Sequence, residues 1–259
     1  MFKLNIFPQK KSTNLLVNTE PIGIYNPTVQ FDNQLPSSVP LNIFQTWHTL
    51  DLPPNMKKNV ELLQKENPEF KYHLYSDDMC REFIQHNFGK DVLYAFDTLK
   101  PGAYKADLWR YCVLYIHGGI YLDIKYKCVN NFKLIELMKK EHWVLDLNKV
   151  GVYNALIICK PHNTILLKAI YKIVNNVKNK FYGSHCLQPT GPIMLSELFT
   201  QTEKNNFDMF HTIYQTIHKL ICYNGYIILK NYNEYAMDQK NNKKLTHYSI
   251  LWERHNIYN

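Results

Sequence analysis

The chain has 259 residues, of which 46% are hydrophobic and 20% charged, with a formal net charge of +8 at pH 7. This is enough apolar material for one large α/β domain or two small ones, and too much for a disordered chain. The positive balance suits an anionic partner such as a nucleotide or a phosphorylated acceptor. The lysines fall in isolated pairs, Lys57-Lys58 and Lys139-Lys140 among them, and no stretch carries a nucleic-acid-binding signature, so nucleic acid is not expected.

None of the six cysteines forms a CxxC pair, which argues against zinc and against a disulfide framework. Neither an apolar leader nor an 18-residue apolar run occurs. A soluble, cytoplasmic protein without a transmembrane segment is therefore expected. The abundance of Asn, Lys, Ile and Tyr, as in AT-rich genomes, points to a bacterial or large-virus source, with the host cytoplasm as location in the second case.

Residues 1–40 carry five prolines without a steady period and read as an extended arm, so the folded domain is expected over 41–259. Asn42 to Trp47 reads as a first strand, and Pro53-Pro54 opens a helix to Lys65 with Met56, Val60 and Leu63 at helical spacing. Phe70 to Tyr75 alternates as a second strand. Ser76-Asp77-Asp78 caps a helix to about Asn87, and a further helix covers Asp91 to Leu99. Pro101-Gly102 starts the next helix, with Trp109, Cys112, Val113 and Ile116 on one face and Asp107, Arg110 and Tyr111 around its rim. Gly118 or Gly119 supplies its left-handed cap, and Ile120 to Asp123 is a third strand. Strands follow at 142–147 and 153–159, a helix at 163–177, a helix from Gly191-Pro192 to about Thr200, and a late strand at 226–229. The alternation of strand and helix predicts a mixed, mainly parallel sheet flanked by helices.

The chemistry concentrates in YKADLWRYCVLYIHGGIYLDIKYK, residues 104–127. In open α/β sheets ligands bind beyond the carboxyl ends of strands, where Asp123 falls. Asp107 and Arg110 stand i, i+3 on the preceding helix and can point the same way. Asp146, near the end of a strand, reads either as a residue facing a cleft or as a strand-end turn.

The ordered elements Gln45-Thr46-Trp47, Asn67-Pro68-Glu69-Phe70, Ala106-Asp-Leu-Trp-Arg-Tyr111 and Leu114-Tyr-Ile-His-Gly-Gly-Ile-Tyr-Leu-Asp123 resemble the family 32 glycosyltransferases, DXD-containing sugar transferases of the GT-A fold. Thr190-Gly191-Pro192 and a late His247 ahead of Trp252 extend the resemblance to nearly the whole folded chain. It implies transfer of a hexose from a UDP- or GDP-sugar to a hydroxyl of a glycan, lipid or protein acceptor, with the anomeric configuration retained. It also implies a donor site. Gln45, Thr46 and Trp47 would border the base, Asp107 would bind sugar or ribose hydroxyls, Arg110 would bind the donor sugar or its phosphate, and Tyr121 and Asp123 would hold ribose and the metal shell. Tyr104, Gly118 and Gly119 would complete the donor side. Thr190, Gly191 and Pro192 would shape the acceptor side, and His247 with Trp252 would close over the diphosphate.

One position departs from the family pattern. The signature ends Asp-x-Asp, and this chain has Asp123-Ile124-Lys125. A protonated lysine has three donors and no acceptor, so it cannot ligate a metal. Three readings follow: Lys125 supplies a cation in place of the family's Mn or Mg ion, a divalent ion is still held through Asp123 and His247, or the chain is a catalytically silent nucleotide-sugar-binding module. On the first, Asp107, Arg110, Asp123 and Lys125 form the catalytic set.

Overall fold

The computed structural model describes residues 38–147, 150–242 and 246–259. Most of the expected N-terminal arm, residues 1–37, lies outside the described residues. Ser38 and Val39 already dock, their amides donating to the Met138 carbonyl at 3.1 Å.

The first half of the chain builds strands and helices in alternation. Strand β1 (Asn42–Thr46) is followed by α1 (Pro54–Glu66), where a proline at the first position sets the helical φ. Next come β2 (Lys71–Tyr75) and α2 (Asp77–Asn87), whose N-cap Ser76 accepts from the Met79 amide while Asp77 and Asp78 sit in the first turn. Helices α3 (Lys90–Thr98) and α4 (Gly102–His117) lead into β3 (Gly119–Leu122). A short β4 (Tyr126–Cys128), a two-residue β5 (Val144–Leu145) and β6 (Leu156–Cys159) precede α5 (Thr164–Lys178), capped by Asn163.

The helix expected from Gly191 to about Thr200 ends earlier, as α6 (Pro192–Ser196), and a second short helix that was not expected follows, α7 (Gln201–Asn205). Thr200 and Glu203 close a reciprocal capping box that starts the second. Three strands follow, β7 (Met209–Tyr214), β8 (His218–Tyr223) and β9 (Tyr226–Asn231), then α8 (Tyr235–Asn242) and α9 (Tyr248–Glu253).

The strands form two sheets. In the first, ordered β2-β1-β3-β6, β1 is parallel to β2 and β3, and β6 is antiparallel to β3. This is the expected mixed sheet. The second, ordered β4-β9-β8-β7-β5, is mainly antiparallel, and of its strands only β5 and β9 were expected.

Alternation along the first sheet assigns its two faces. Phe44, Tyr121, Ile157 and Cys159 pack against Leu108, Trp109 and Cys112 of α4 and against α5. Ile43, Ile120, Leu122, Leu156 and Ile158 pack instead against Val144, Met209, Ile221 and Leu229 of the second sheet. The first sheet is thus buried on both faces, with helices on one and the second sheet on the other.

Helix α4 consequently lies deeper than its sequence predicts. Trp109, Cys112 and Val113 are buried as expected, but Asp107, Arg110 and Tyr111 are buried too rather than rimming the surface.

Candidate active site

Strand β3 ends at Leu122, and the chain turns through Asp123-Ile124-Lys125 into β4, crossing from the first sheet to the second. The Asp123 amide donates to the Ala155 carbonyl at 2.8 Å and the Tyr126 amide to the Asp123 carbonyl at 3.0 Å. On the far side, the Tyr232 amide donates to the Lys125 carbonyl at 2.9 Å. Asn59, buried on α1, gives its amide to the carbonyls of Ile124 and Tyr126, each at 3.1 Å. The turn is held from three elements, so Asp123 and Lys125 have fixed origins.

The two carboxylate oxygens of Asp123 meet three side chains. Oδ1 accepts from the Tyr121 hydroxyl at 2.8 Å and meets Arg110 Nη1 at 3.4 Å, while Oδ2 pairs with the Lys125 ammonium. Burial pushes this carboxyl up, but Lys125 and then Arg110 outweigh it and hold it below its ordinary value. Burial likewise works against the charge on Lys125, and Asp123 outweighs it, so the ammonium is held well above its usual range.

Arg110 is the hinge of the cluster. Its Nη2 lies 3.2 Å from Asp107 Oδ1, its Nη1 donates to the Asn154 carbonyl at 2.7 Å, and its guanidinium covers the Tyr121 ring at 4.3 Å. Asp107 also accepts from Asn154 Nδ2 at 2.9 Å and from Thr190 Oγ1 at 2.7 Å. Burial raises the Asp107 carboxyl although Arg110, Thr190 and Asn154 all oppose the shift. Two carboxylates thus face two cations, and the group is formally neutral. A buried pair of this kind contributes little net stability, yet removing one member is costly because the other is left uncompensated.

A cavity of about 230 Å³ opens over this cluster. Arg110, Tyr121 and Asp123 line it from the helix and strand, Thr46 and Trp47 from the end of β1, and His247 from the C-terminal segment. Asp107 and Lys125 do not line it. The Asp123 side chain is 23% exposed and that of Lys125 8%, so the carboxylate faces the cavity and the ammonium stands behind it.

The remaining expected site residues divide. Thr190 and Gly191 reach the cluster, since a Cβ on Gly191 would stand 3.4 Å from Asp107 Oδ2. Pro192 opens α6 and its carbonyl accepts from the Val152 amide at 3.0 Å. Gln45 is buried beneath the site, giving Nε2 to the Leu122 carbonyl at 3.1 Å, and does not line the cavity. Tyr104 donates to the Cys186 carbonyl at 2.5 Å and lies outside the lining as well. Trp252 gives Nε1 to the Tyr182 carbonyl at 2.7 Å and packs on the helical core.

Gly118 and Gly119 stand at the opposite end of β3 from Asp123, four strand residues or roughly 13 Å away. Their φ angles are +60° and +108°, and a Cβ would meet the Pro161 nitrogen at 2.6 Å or the Asn42 carbonyl at 2.7 Å. They serve the tight passage from α4 into β3, not the cavity.

Of the expected pair of metal ligands, His247 caps α9, its Nδ1 accepting from the Ser249 amide at 3.3 Å, and Asp123 is paired with Lys125. Among the described residues, no group of three or more His, Cys, Asp and Glu side chains is arranged to hold a metal ion. The residues around Asp123 do not fit a divalent ion.

Asn154 is absent from the sequence reading, yet it binds both Asp107 and Arg110, and its amide also donates to the Tyr111 hydroxyl at 2.9 Å. Tyr235, Gln239 and Tyr248 add a C-terminal wall to the cavity. Asp146 does not line it but pairs with His211 Nδ1 at 2.9 Å, and the His211 ring stacks on Tyr153 at 3.9 Å. Burial lowers the His211 pKa against the opposing carboxylate.

Fold and site together define an α/β protein with a cavity, floored by charged side chains, at the carboxyl end of a strand where the chain leaves one sheet for another. The family model described as "Glycosyltransferase sugar-binding region containing DXD motif" matches residues 53–148. An uncharacterized glycosyltransferase of Acanthamoeba polyphaga mimivirus is 38% identical over 172 residues, covering 65% of this chain and 67% of the relative. Inositol phosphoceramide mannosyltransferase 2 of Schizosaccharomyces pombe is 30% identical over 183 residues, covering 69% of this chain and 52% of that protein. Among solved structures, the PaToxG glycosyltransferase aligns with a TM-score of 0.49 and 17% identity, covering 63% of this chain and 69% of that one.

The chain belongs to the family of DXD-containing glycosyltransferases. It spans about half the length of the yeast mannosyltransferases it matches. No helix among the described residues is long and apolar enough to cross a membrane.

Proposed function

We propose that the chain transfers a hexose from a nucleoside diphosphate sugar to an acceptor hydroxyl in glycan or glycolipid synthesis, with retention of configuration. The observation that carries this reading is the cavity floor, where Arg110, Tyr121 and Asp123 face the opening from one rigid cluster. The Trp47 side chain on one wall offers an aromatic plate for the base, worth roughly 1–3 kcal/mol by stacking. Tyr121 and Asp123 offer hydroxyl and carboxylate groups to ribose or sugar hydroxyls. Arg110 presents a cation to the phosphates, and Asp107 and Asn154 fix its orientation.

In the proposed step the bond between the anomeric carbon and the phosphate oxygen breaks, and the acceptor oxygen bonds to that carbon on the same face. The acceptor proton passes to the departing phosphate oxygen, so no protein base is required. The site's work is electrostatic: it holds the developing diphosphate charge near a preorganised cation. The likeness to yeast inositol phosphoceramide mannosyltransferases makes a mannosyl donor and a phosphorylinositol-bearing lipid the first pair to test.

A nucleotide-sugar-binding module without turnover is the second reading, favoured by the lysine at position 125. Incubation with UDP- and GDP-sugars, with and without acceptor, separates the two. Release of the nucleoside diphosphate with a new glycoside supports transfer, whereas saturable binding without release supports the module.

A further inference from the structure

Oxygen ligands bind a divalent cation when their lone pairs converge on an open position and their negative charge exceeds that of the neighbouring groups. Neither condition holds at Asp123. Oδ1 is engaged by the Tyr121 hydroxyl and Arg110, Oδ2 by the Lys125 ammonium, and Asp107 is committed to Arg110, Asn154 and Thr190. The charges of the four groups already cancel. Lys125 is buried in this position: its backbone is held by Tyr232, the flanking carbonyls of Ile124 and Tyr126 by Asn59, and its ammonium lies 5.1 Å and 5.6 Å from the rings of Tyr126 and Tyr153.

We propose that Lys125 is a built-in cation that takes the place of a divalent metal, so that this chain binds the diphosphate of its nucleotide without Mn or Mg. The inference rests on the nucleotide-sugar reading for its ligand. Lys125 is a positioning residue that acts through Asp123. A bare carboxylate facing the cavity repels a diphosphate. The ammonium behind it cancels that charge and leaves Arg110 as the cation the phosphates meet. In a metal-dependent site the ion itself provides the cancellation, which is why the usual second carboxylate is dispensable here.

The test uses the full chain and needs no variant to be decisive. Titration calorimetry with UDP and with GDP, in EDTA and in Mn²⁺, is expected to give dissociation constants that agree within about threefold for the nucleotide that binds. Mn²⁺ alone, followed by electron paramagnetic resonance, is expected to remain free at micromolar protein. Lys125→Asp is expected to bind Mn²⁺ and to need it, its nucleotide affinity falling about tenfold or more in EDTA, whereas Lys125→Arg keeps metal-free binding. A wild-type affinity that falls about tenfold in EDTA and returns with Mn²⁺, or stoichiometric Mn²⁺ binding by the wild-type chain, overturns the proposal. Should neither nucleotide bind in any buffer, the nucleotide-sugar reading fails, and the Mn²⁺ arm still decides whether the site excludes the metal.

Discussion

Asp123 and Asp107 are both buried carboxylates beside Arg110, yet their pKa values move in opposite directions, and Lys125 makes the difference. At Asp123 the folded value lies below the ordinary 3.8, so its stabilising contribution is complete above about pH 4 and is lost as pH falls through the lowered value. Lys125→Met removes the largest lowering influence and leaves burial to raise the carboxyl. The stability gap between wild type and Lys125→Met is therefore expected to reach ~3 kcal/mol at neutral pH, to narrow as pH falls through the raised carboxyl value of the variant, and to be closed once pH is below the lowered wild-type value. Denaturant unfolding across a pH series reads this directly, and a gap independent of pH contradicts the ion pair.

Asn154 affords a second residue-scale test. Asn154→Ala takes a donor from Asp107 and from Tyr111 but keeps the carbonyl that receives Arg110. A loss of ~1–3 kcal/mol is expected from unfolding curves, with a fall in turnover larger than the fall in nucleotide affinity. No sequence signal marked this residue. It stands just before a short apolar strand, and its partners are 43 and 47 positions away. Asp107 and Arg110 were legible because helical spacing puts them together, although their burial was not.

The passage from α4 into β3 decides where that pair meets Asp123. Gly119 holds φ at +108° with the Asn42 carbonyl where a Cβ would be, so Gly119→Ala carries both backbone strain and a clash. A loss of ~2 kcal/mol or more is expected, read as a lowered Tm, with nucleotide affinity unchanged in the fraction that stays folded. A glycine pair that touched the donor would lose affinity instead.

Other elements show which signals sequence carries. The order from β1 to β3 was legible because prolines, Ser76 and Gly118 punctuate clear periodic runs. The hairpin of β7 and β8 was not, since its turn places Gln215 and Thr216 at positive φ, where Asn and Gly are the usual residues. The next hairpin does turn on Asn224-Gly225, a signal present in the sequence and unused. The capping box at Thr200 and Glu203 likewise marked the start of α7, a helix the sequence reading did not include.

At the scale of the whole molecule, the second sheet does more than cover the first. It anchors Lys125 through Tyr232 and brings Asp146, His211 and Tyr153 behind the ion pair, so the site lies at the seam of the two sheets. A sequence reading of the first sheet alone finds Asp123 but cannot tell which way Lys125 points, because the β4–β9 pairing comes from residues a hundred positions apart. The C-terminal wall at His247 and Tyr248 faces the same cavity from the other end of the chain. Both halves of the chain line the cavity.

The central claim is transfer of a sugar from a nucleoside diphosphate. It is tested most directly by incubating the chain with a panel of UDP- and GDP-hexoses and a phosphorylinositol lipid or glycan acceptor, and measuring released nucleotide together with new glycoside. The account predicts stoichiometric release and product for at least one donor, abolished by Asp123→Ala and Asp107→Ala. Nucleotide sugars from which a folded chain releases no diphosphate, whether or not they bind, would contradict it.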